Sequence, residues 1–194
     1  MRQPLEEGSV TIARASGTFT YPARFMLVAS MNPCPCGYRG TRSAECRCDD
    51  AAVARYVAKL SGPLLDRIDL QIEVARVAFD DMARSDGAES SAAIRKRVIA
   101  ARELQRARFE GSAITCNAEI PGSAVRTYCR LDAGAMELLS HASSRRQFSA
   151  RALDRIARAA RTIADLAGSP NIEPAHVAEA IQYRSLERLD TRAA

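Results

Sequence analysis

The chain has 194 residues, 47% of them hydrophobic, with a formal net charge of +5 and a pI near 9.1, which suffices for one large domain or two small ones with packed cores. Its longest uncharged apolar run, Phe25 to Ala29, is far too short for a helical membrane span, and Met1-Arg2-Gln3-Pro4 does not open a signal peptide. A cytoplasmic protein without a membrane partner is therefore expected, and in a reducing compartment its six cysteines point to metal binding or free thiols rather than disulfides.

Taken in chain order, Val10 to Ala13 and Thr18 to Tyr21 are short strand-like runs around Ala15-Ser16-Gly17, which predicts a hairpin. Phe25-Met26-Leu27-Val28-Ala29 is a continuous apolar run ending in Ser30-Met31-Asn32-Pro33, the pattern of a buried parallel strand. Asp49 to Leu60 has helical spacing, with Val53, Val57 and Leu60 on one side. Ile68 to Val74 alternates apolar and polar residues, as a strand with one polar face does.

Beyond about residue 76 nearly everything reads as helix. Ser85 to Ser91 is a polar loop before a helix over about Ala92 to Phe109, with Ile94, Val98, Ala101 and Leu104 on one stripe. Asp132 and Ser149 are set to cap the next two helices, the second carrying Leu153, Ile156, Ala157, Ala160, Ile163 and Ala164 at i, i+3, i+4, i+7 spacing. Gly168-Ser169-Pro170 stops it, and Pro174 suits the first turn of a last helix. The layout is a fragment of α/β sheet, residues 1–76, followed by an all-helical domain, residues 77–194, mostly helical overall.

Two features carry chemistry. Of the 28 basic residues only Lys59 and Lys96 are lysines, and the rest are arginines. Guanidinium forks match phosphate bidentately, which suits nucleotide or nucleic-acid partners, although GC-rich coding bias also raises arginine. The second feature is the pair Cys34-Pro35-Cys36 and Cys46-Arg47-Cys48, separated by nine residues. Four thiolates brought together from the ends of one loop fit tetrahedral zinc, with Gly37 and Gly40 supplying the turn and Arg39, Arg42 and Arg47 offsetting charge; free or redox-active thiols are the alternative. Cys116 and Cys129 read as small hydrophobes, and His141 and His176 as ordinary helix residues.

Several strings together resemble one family. Arg2 to Arg14, Phe25 to Gly37 (FMLVASMNPCPCG), Leu60 to Leu70 (LSGPLLDRIDL), Asn117 to Pro121, Ser149 to Gly168 (SARALDRIARAARTIADLAG) and Glu179 to Arg184 (EAIQYR) are similar to Mg-chelatase-like AAA+ ATPases of the ComM/YifB branch. The resemblance covers essentially the whole chain. It implies the distal part of an AAA+ core, a β-hairpin plus two core strands, followed by a helical lid domain. It implies further that Asn32 is sensor 1, a side-chain amide that orients the attacking water near the γ-phosphate; a turn-initiating asparagine before Pro33 is the simpler alternative. Arg67 resembles an arginine finger offered to a neighbouring subunit, against a plain salt bridge with Asp66 or Asp69. Arg151 resembles sensor 2, against a solvated basic face shared with Arg155 and Arg158. The hairpin corresponds to the pre-sensor-1 insertion shared with minichromosome-maintenance helicases, where Arg14 would grip DNA phosphate; an edge hairpin with one solvated arginine is the alternative.

One departure stands out. The sequence contains no G-x-x-x-x-G-K-[ST] loop and no Walker B acidic pair, so Met1 is expected to be an artificial boundary, a truncated gene product or a misplaced start. The resemblance implies a parent that is a homo-hexameric ATPase using ATP and Mg²⁺, with Zn²⁺ in the cysteine loop, driving branch migration on DNA. The chain alone is expected to be inactive and its sheet remnant poorly packed. A magnesium chelatase ATPase subunit and a stand-alone zinc-stabilised DNA-binding module are the competing readings; the cysteine loop argues against the first.

Overall fold

The computed structural model describes residues 2–40, 45–60, 62–75, 77 and 89–184. Contacts divide it into two compact units, the first ending at Ile68 and the second starting at Asp69.

In the first unit a short helix, α1 (Arg2–Glu7), leads through Gly8 into an antiparallel hairpin of β1 (Ser9–Arg14) and β2 (Gly17–Pro22). Gly8 takes φ +62°, and its N–H bonds back to the Pro4 carbonyl at 3.1 Å, the left-handed exit that glycine allows without a Cβ penalty. The register pairs Val10 with Tyr21, Ile12 with Phe19 and Arg14 with Gly17, which places their side chains on one face. On the other face the Thr11 and Thr20 hydroxyls meet at 3.1 Å. Helix α2 (Asp50–Val57) starts where Asp49 accepts the Ala52 N–H at 2.6 Å. Its buried Val53 and Val57 form a small core with Cys34, flanked by Cys46, Cys48 and Tyr56. A single turn, α3 (Gly62–Leu65), buries Leu65.

Neither expected core strand forms a ladder. Residues 23–32 have no regular structure, and Met26 and Val28 are 87% and 84% exposed. In 68–74 only Gln71 pairs, through an isolated parallel bridge to Arg184 in which its N–H bonds the Tyr183 carbonyl at 2.8 Å. The expected facing is inverted there: Gln71 is buried, while Leu70, Ile72 and Val74 are exposed. An extended segment becomes a strand only where a neighbour satisfies its N–H and C=O groups. Among the described residues, 25–29 join no ladder and 68–74 join only the isolated bridge at Gln71.

The second unit is helical: α4 (Ser91–Arg108), α5 (Val125–Tyr128), α6 (Ala133–Arg146), α7 (Ala150–Leu166) and α8 (Pro174–Gln182), with 3₁₀ turns at Asn117–Glu119 and Gly122–Ala124. Asp132 and Ser149 cap α6 and α7 as their positions predict, accepting the Ala135 and Ala152 N–H groups at 2.7 and 3.1 Å. Gly168, at φ +70°, ends α7. Ile156, Ala157, Ala160 and Ala164 of α7 pack with Ile120, Val125, Ile172, Val177 and Ala180 in the main core. The stripe expected on α4 is buried only toward its end: Ala101 and Gln105 are covered, whereas Ile94, Val98 and Leu104 are exposed.

A carboxylate sits inside this unit. Asp165, fully buried, accepts 2.5 and 2.8 Å hydrogen bonds from the Arg108 guanidinium, one at 3.0 Å from Arg161 and one at 2.8 Å from Asn117. Burial pushes its pKa upward, but the hydrogen bonds from Arg108 and Asn117 and the charge of Arg161 outweigh that and hold it below the usual carboxylate range. Arg161 also donates to the Pro170 and Ser169 carbonyls, tying the loop after α7 to the same knot.

Candidate metal centre and nucleotide-sensing residues

The four paired cysteines converge. All their sulfurs lie within 4.8 Å of one another, with Cys34–Cys36, Cys36–Cys46 and Cys34–Cys46 at 3.3, 3.7 and 3.9 Å. Four sulfurs placed about 2.3 Å from one zinc are about 3.8 Å apart, so the donor set has the size a tetrahedral ion requires. The local sequence explains the convergence. Gly37 at φ +83° and Gly40 at φ +79° turn the chain, the Gly37 N–H closes on the Cys34 carbonyl at 3.0 Å, and Cys34 is anchored by burial against α2.

The thiols do not behave as four equals. Burial opposes ionisation of Cys34, yet hydrogen bonds from the Cys36 thiol and from the Arg39 and Cys36 backbone hold it at about 6. Cys48 is pushed up to about 11, despite a hydrogen bond from the Cys36 backbone, because it shares the cluster with Cys36 and Cys34. Four sulfurs this close can all be thiolates only around a cation. Of the arginines expected to offset that charge, Arg39 pairs with Asp50 at 2.7 Å, Arg47 is exposed, and Arg42 lies outside the described residues.

Asn32 is exposed and lies against the cysteine turn: a Cβ built on Gly37 would be 3.6 Å from its Nδ2. Arg67 is mostly buried and pairs with Glu6 of α1 at 2.7 Å, while Asp69 bonds Arg155. Arg151 is exposed in the first turn of α7. A solvated basic face around it does not form, since Arg155 is engaged by Asp69 and Arg158 is partly buried, its pKa lowered by burial and by Arg155. Arg14 is exposed on the hairpin and lines a shallow depression with Ile12, Ser16, Phe19 and Tyr21. The four cysteines and Asn32 are thus neighbours, and Arg14 and Arg67 belong to the same unit.

Two arrangements escaped sequence reasoning. The nearness of Gly37 to the Asn32 side chain was encoded in the spacing Asn-Pro-Cys-Pro-Cys-Gly, which returns the chain within five residues. The knot around Asp165 joins Arg108 to a residue 57 positions away, and no local pattern announces that. Cys129 is buried as expected, its thiol pushed up to about 11 by burial, while Cys116 is half-buried. His176 accepts the Glu173 N–H at 3.0 Å through Nδ1, a helix-capping role.

Compared with known proteins, residues 88–184 match the family described as magnesium chelatase, subunit ChlI C-terminal, and residues 1–82 match magnesium chelatase, subunit ChlI. The chain belongs to the magnesium chelatase ChlI family. Among its relatives it is 40% identical over 191 residues to competence protein ComM of Haemophilus influenzae, and 38% identical over 191 residues to the uncharacterized protein YifB of Escherichia coli. It is also 41% identical over 186 residues to an uncharacterized protein of Mycobacterium tuberculosis. Each alignment covers at least 95% of this chain but only 36% of the relative. The chain therefore spans about a third of the length of the family members it matches. No helix among its described residues is long and apolar enough to cross a membrane.

Proposed function

We propose that this chain is the distal part of a homo-hexameric AAA+ ATPase of the ComM-like kind, acting on DNA as a branch-migration motor. The observation that carries this reading is the likeness to competence protein ComM along 97% of the chain, joined to a cysteine cluster of the right size for zinc. In this reading residues 1–76 are the distal AAA+ core and residues 77–194 the helical lid.

Each residue then has a task. Asn32 orients the water that attacks the γ-phosphate, Arg67 reaches a neighbouring subunit's nucleotide, and Arg151 senses phosphate from the lid. Arg14 holds DNA through phosphate and reads no bases. ATP with Mg²⁺ supplies the phosphoryl group, and the sequence of this chain contains no Gly-rich loop to cradle it. Cys34, Cys36, Cys46 and Cys48 hold a structural zinc, whose four-sulfur shell leaves no open position for catalysis.

The parent protein tests the reading. It is expected to hydrolyse ATP faster when junction DNA is present and to move the junction. Stimulation by a porphyrin and magnesium insertion, with no response to DNA, would instead mark a chelatase subunit. Salt-sensitive DNA binding by this chain alone, with no hexamer and no ATPase in the parent, would mark a zinc-stabilised DNA module. Elemental analysis is expected to give about one zinc per chain, lost when any two of the four cysteines become serine; a metal-free protein with a folded loop would remove the zinc from this account.

A further inference from the structure

Asn32 stands two residues before Cys34, in a segment where prolines alternate with the cysteines. The rings of Pro33 and Pro35 lock φ, and each residue preceding a proline is held extended, so the backbone from Asn32 to Cys36 has few soft torsions with which to absorb a displacement. The far end of the segment is fastened twice. Cys34 is fully buried with Val53 and Val57, and the Gly37 N–H closes on the Cys34 carbonyl at 3.0 Å. That turn folds Gly37 back over the Asn32 carboxamide, with the position of a Gly37 Cβ 3.6 Å from Nδ2 and 3.7 Å from Cγ.

We propose that the cysteine loop positions Asn32: closing Cys34, Cys36, Cys46 and Cys48 around a metal ion sets the turn at Gly37, and the Gly37 backbone in turn fixes the carboxamide. Gly37 is then a positioning residue. Its left-handed φ of +83° closes the turn, a conformation that a side chain at this position would strain. The inference rests on the zinc reading and on Asn32 facing nucleotide, but the positioning can be tested apart from nucleotide.

The chain has three asparagines, Asn32, Asn117 and Asn171, and five glutamines, so eight side-chain amide pairs are expected in a ¹⁵N spectrum, and the pair lost in Asn32→Asp identifies the one of interest. Adding one equivalent of zinc ion to the reduced, metal-free chain is expected to move the Asn32 pair and leave that of Asn117, buried in the helical unit, in place. Chelation should reverse the shift, and Cys46→Ser should abolish it. Gly37→Ala should place the Asn32 pair away from its wild-type position while zinc remains bound; if that variant takes up no zinc, the wild-type titration decides alone. An Asn32 pair that ignores zinc overturns the proposal, and so does a chain that binds none. If the pair moves with zinc while Asn32→Ala in the parent hydrolyses ATP at the wild-type rate, the positioning stands and the sensor reading falls.

Discussion

Asp165 is the acceptor on which Arg108, Arg161 and Asn117 converge. Asp165→Asn removes the counter-charge and leaves amide donors facing guanidinium donors. Breaking a buried pair from one side costs about 3–5 kcal/mol, so the variant is expected to show a clear fall in the denaturation midpoint of the helical unit. The sign of the pH dependence follows from the lowered native pKa. With the native value below the ordinary 3.8, the stabilisation is complete above that value and is lost as pH falls through the native one. Wild-type stability should therefore drop on acidification below about pH 4, and the Asp165→Asn chain should lose that part of the drop. Arg67 poses the opposite case, a residue whose ion pair with Glu6 would also serve a purely structural role. If it is a finger offered in trans, Arg67→Ala in the parent cuts DNA-stimulated hydrolysis by about a thousandfold or more with ATP binding nearly intact. Glu6→Gln should retain most activity, and mixing the Arg67→Ala protein with a Walker B variant should restore part of it. Equal losses in both single variants with a matching fall in stability would reduce Arg67 to the ion pair.

At the scale of elements, the hairpin carries the next expectation. Its face with Val10, Ile12, Phe19, Tyr21 and Arg14 includes no acidic residue, and Arg14 is exposed there. Arg14→Ala in the parent should weaken DNA binding alike for all sequences and lower the salt slope by about one, as loss of a phosphate contact does; a sequence-selective defect would count against it. The hairpin and the longer helices α2, α4, α6, α7 and α8 were legible for the same reason: their determinants are local. Asp49, Asp132 and Ser149 each accept an N–H three residues on, Gly168 supplies a left-handed exit, and the α7 stripe meets the core as its spacing predicts. The candidate metal centre was legible because the two C-x-C pairs bracket one short loop. The two core strands were not, because apolar alternation at Ile68 to Val74 specifies a face and not a partner, and no adjacent strand is present among the described residues. The stripe on α4 failed likewise: Ile94 and Val98 have the period but are exposed, and the helix is covered only toward its end, at Ala101 and Gln105, where Arg108 reaches Asp165.

At the scale of the whole molecule, the question is what a chain spanning 36% of its relatives' length can do unaided. Phosphate affinity in P-loop ATPases comes from successive backbone N–H groups at a helix N-terminus together with one lysine. The only lysines in the chain are Lys59 and Lys96, and neither follows a Gly-rich loop. Asn32, Arg67 and Arg151 would each add to a nucleotide already held, and Arg67 is committed to Glu6 in this structure. Calorimetric titration of the isolated chain with a non-hydrolysable ATP analogue should therefore show no binding in the micromolar range; a micromolar Kd would overturn this. Hydrogen exchange measured on the same sample adds the structural half of the claim. Amides of α2 and α7, which are helical and pack on the two cores, should be protected. Those of residues 25–29 should exchange rapidly, because their carbonyl and N–H groups join no ladder. Within 68–74 the Gln71 amide, bonded to the Tyr183 carbonyl, should stand out as slower than those of Leu70, Ile72 and Val74. Strong protection across both segments in a monomer would mean that they pair with each other after all. Protection that appears only as concentration rises would mean that their exposed apolar residues, Met26, Val28, Ile72 and Val74, pair with a second copy.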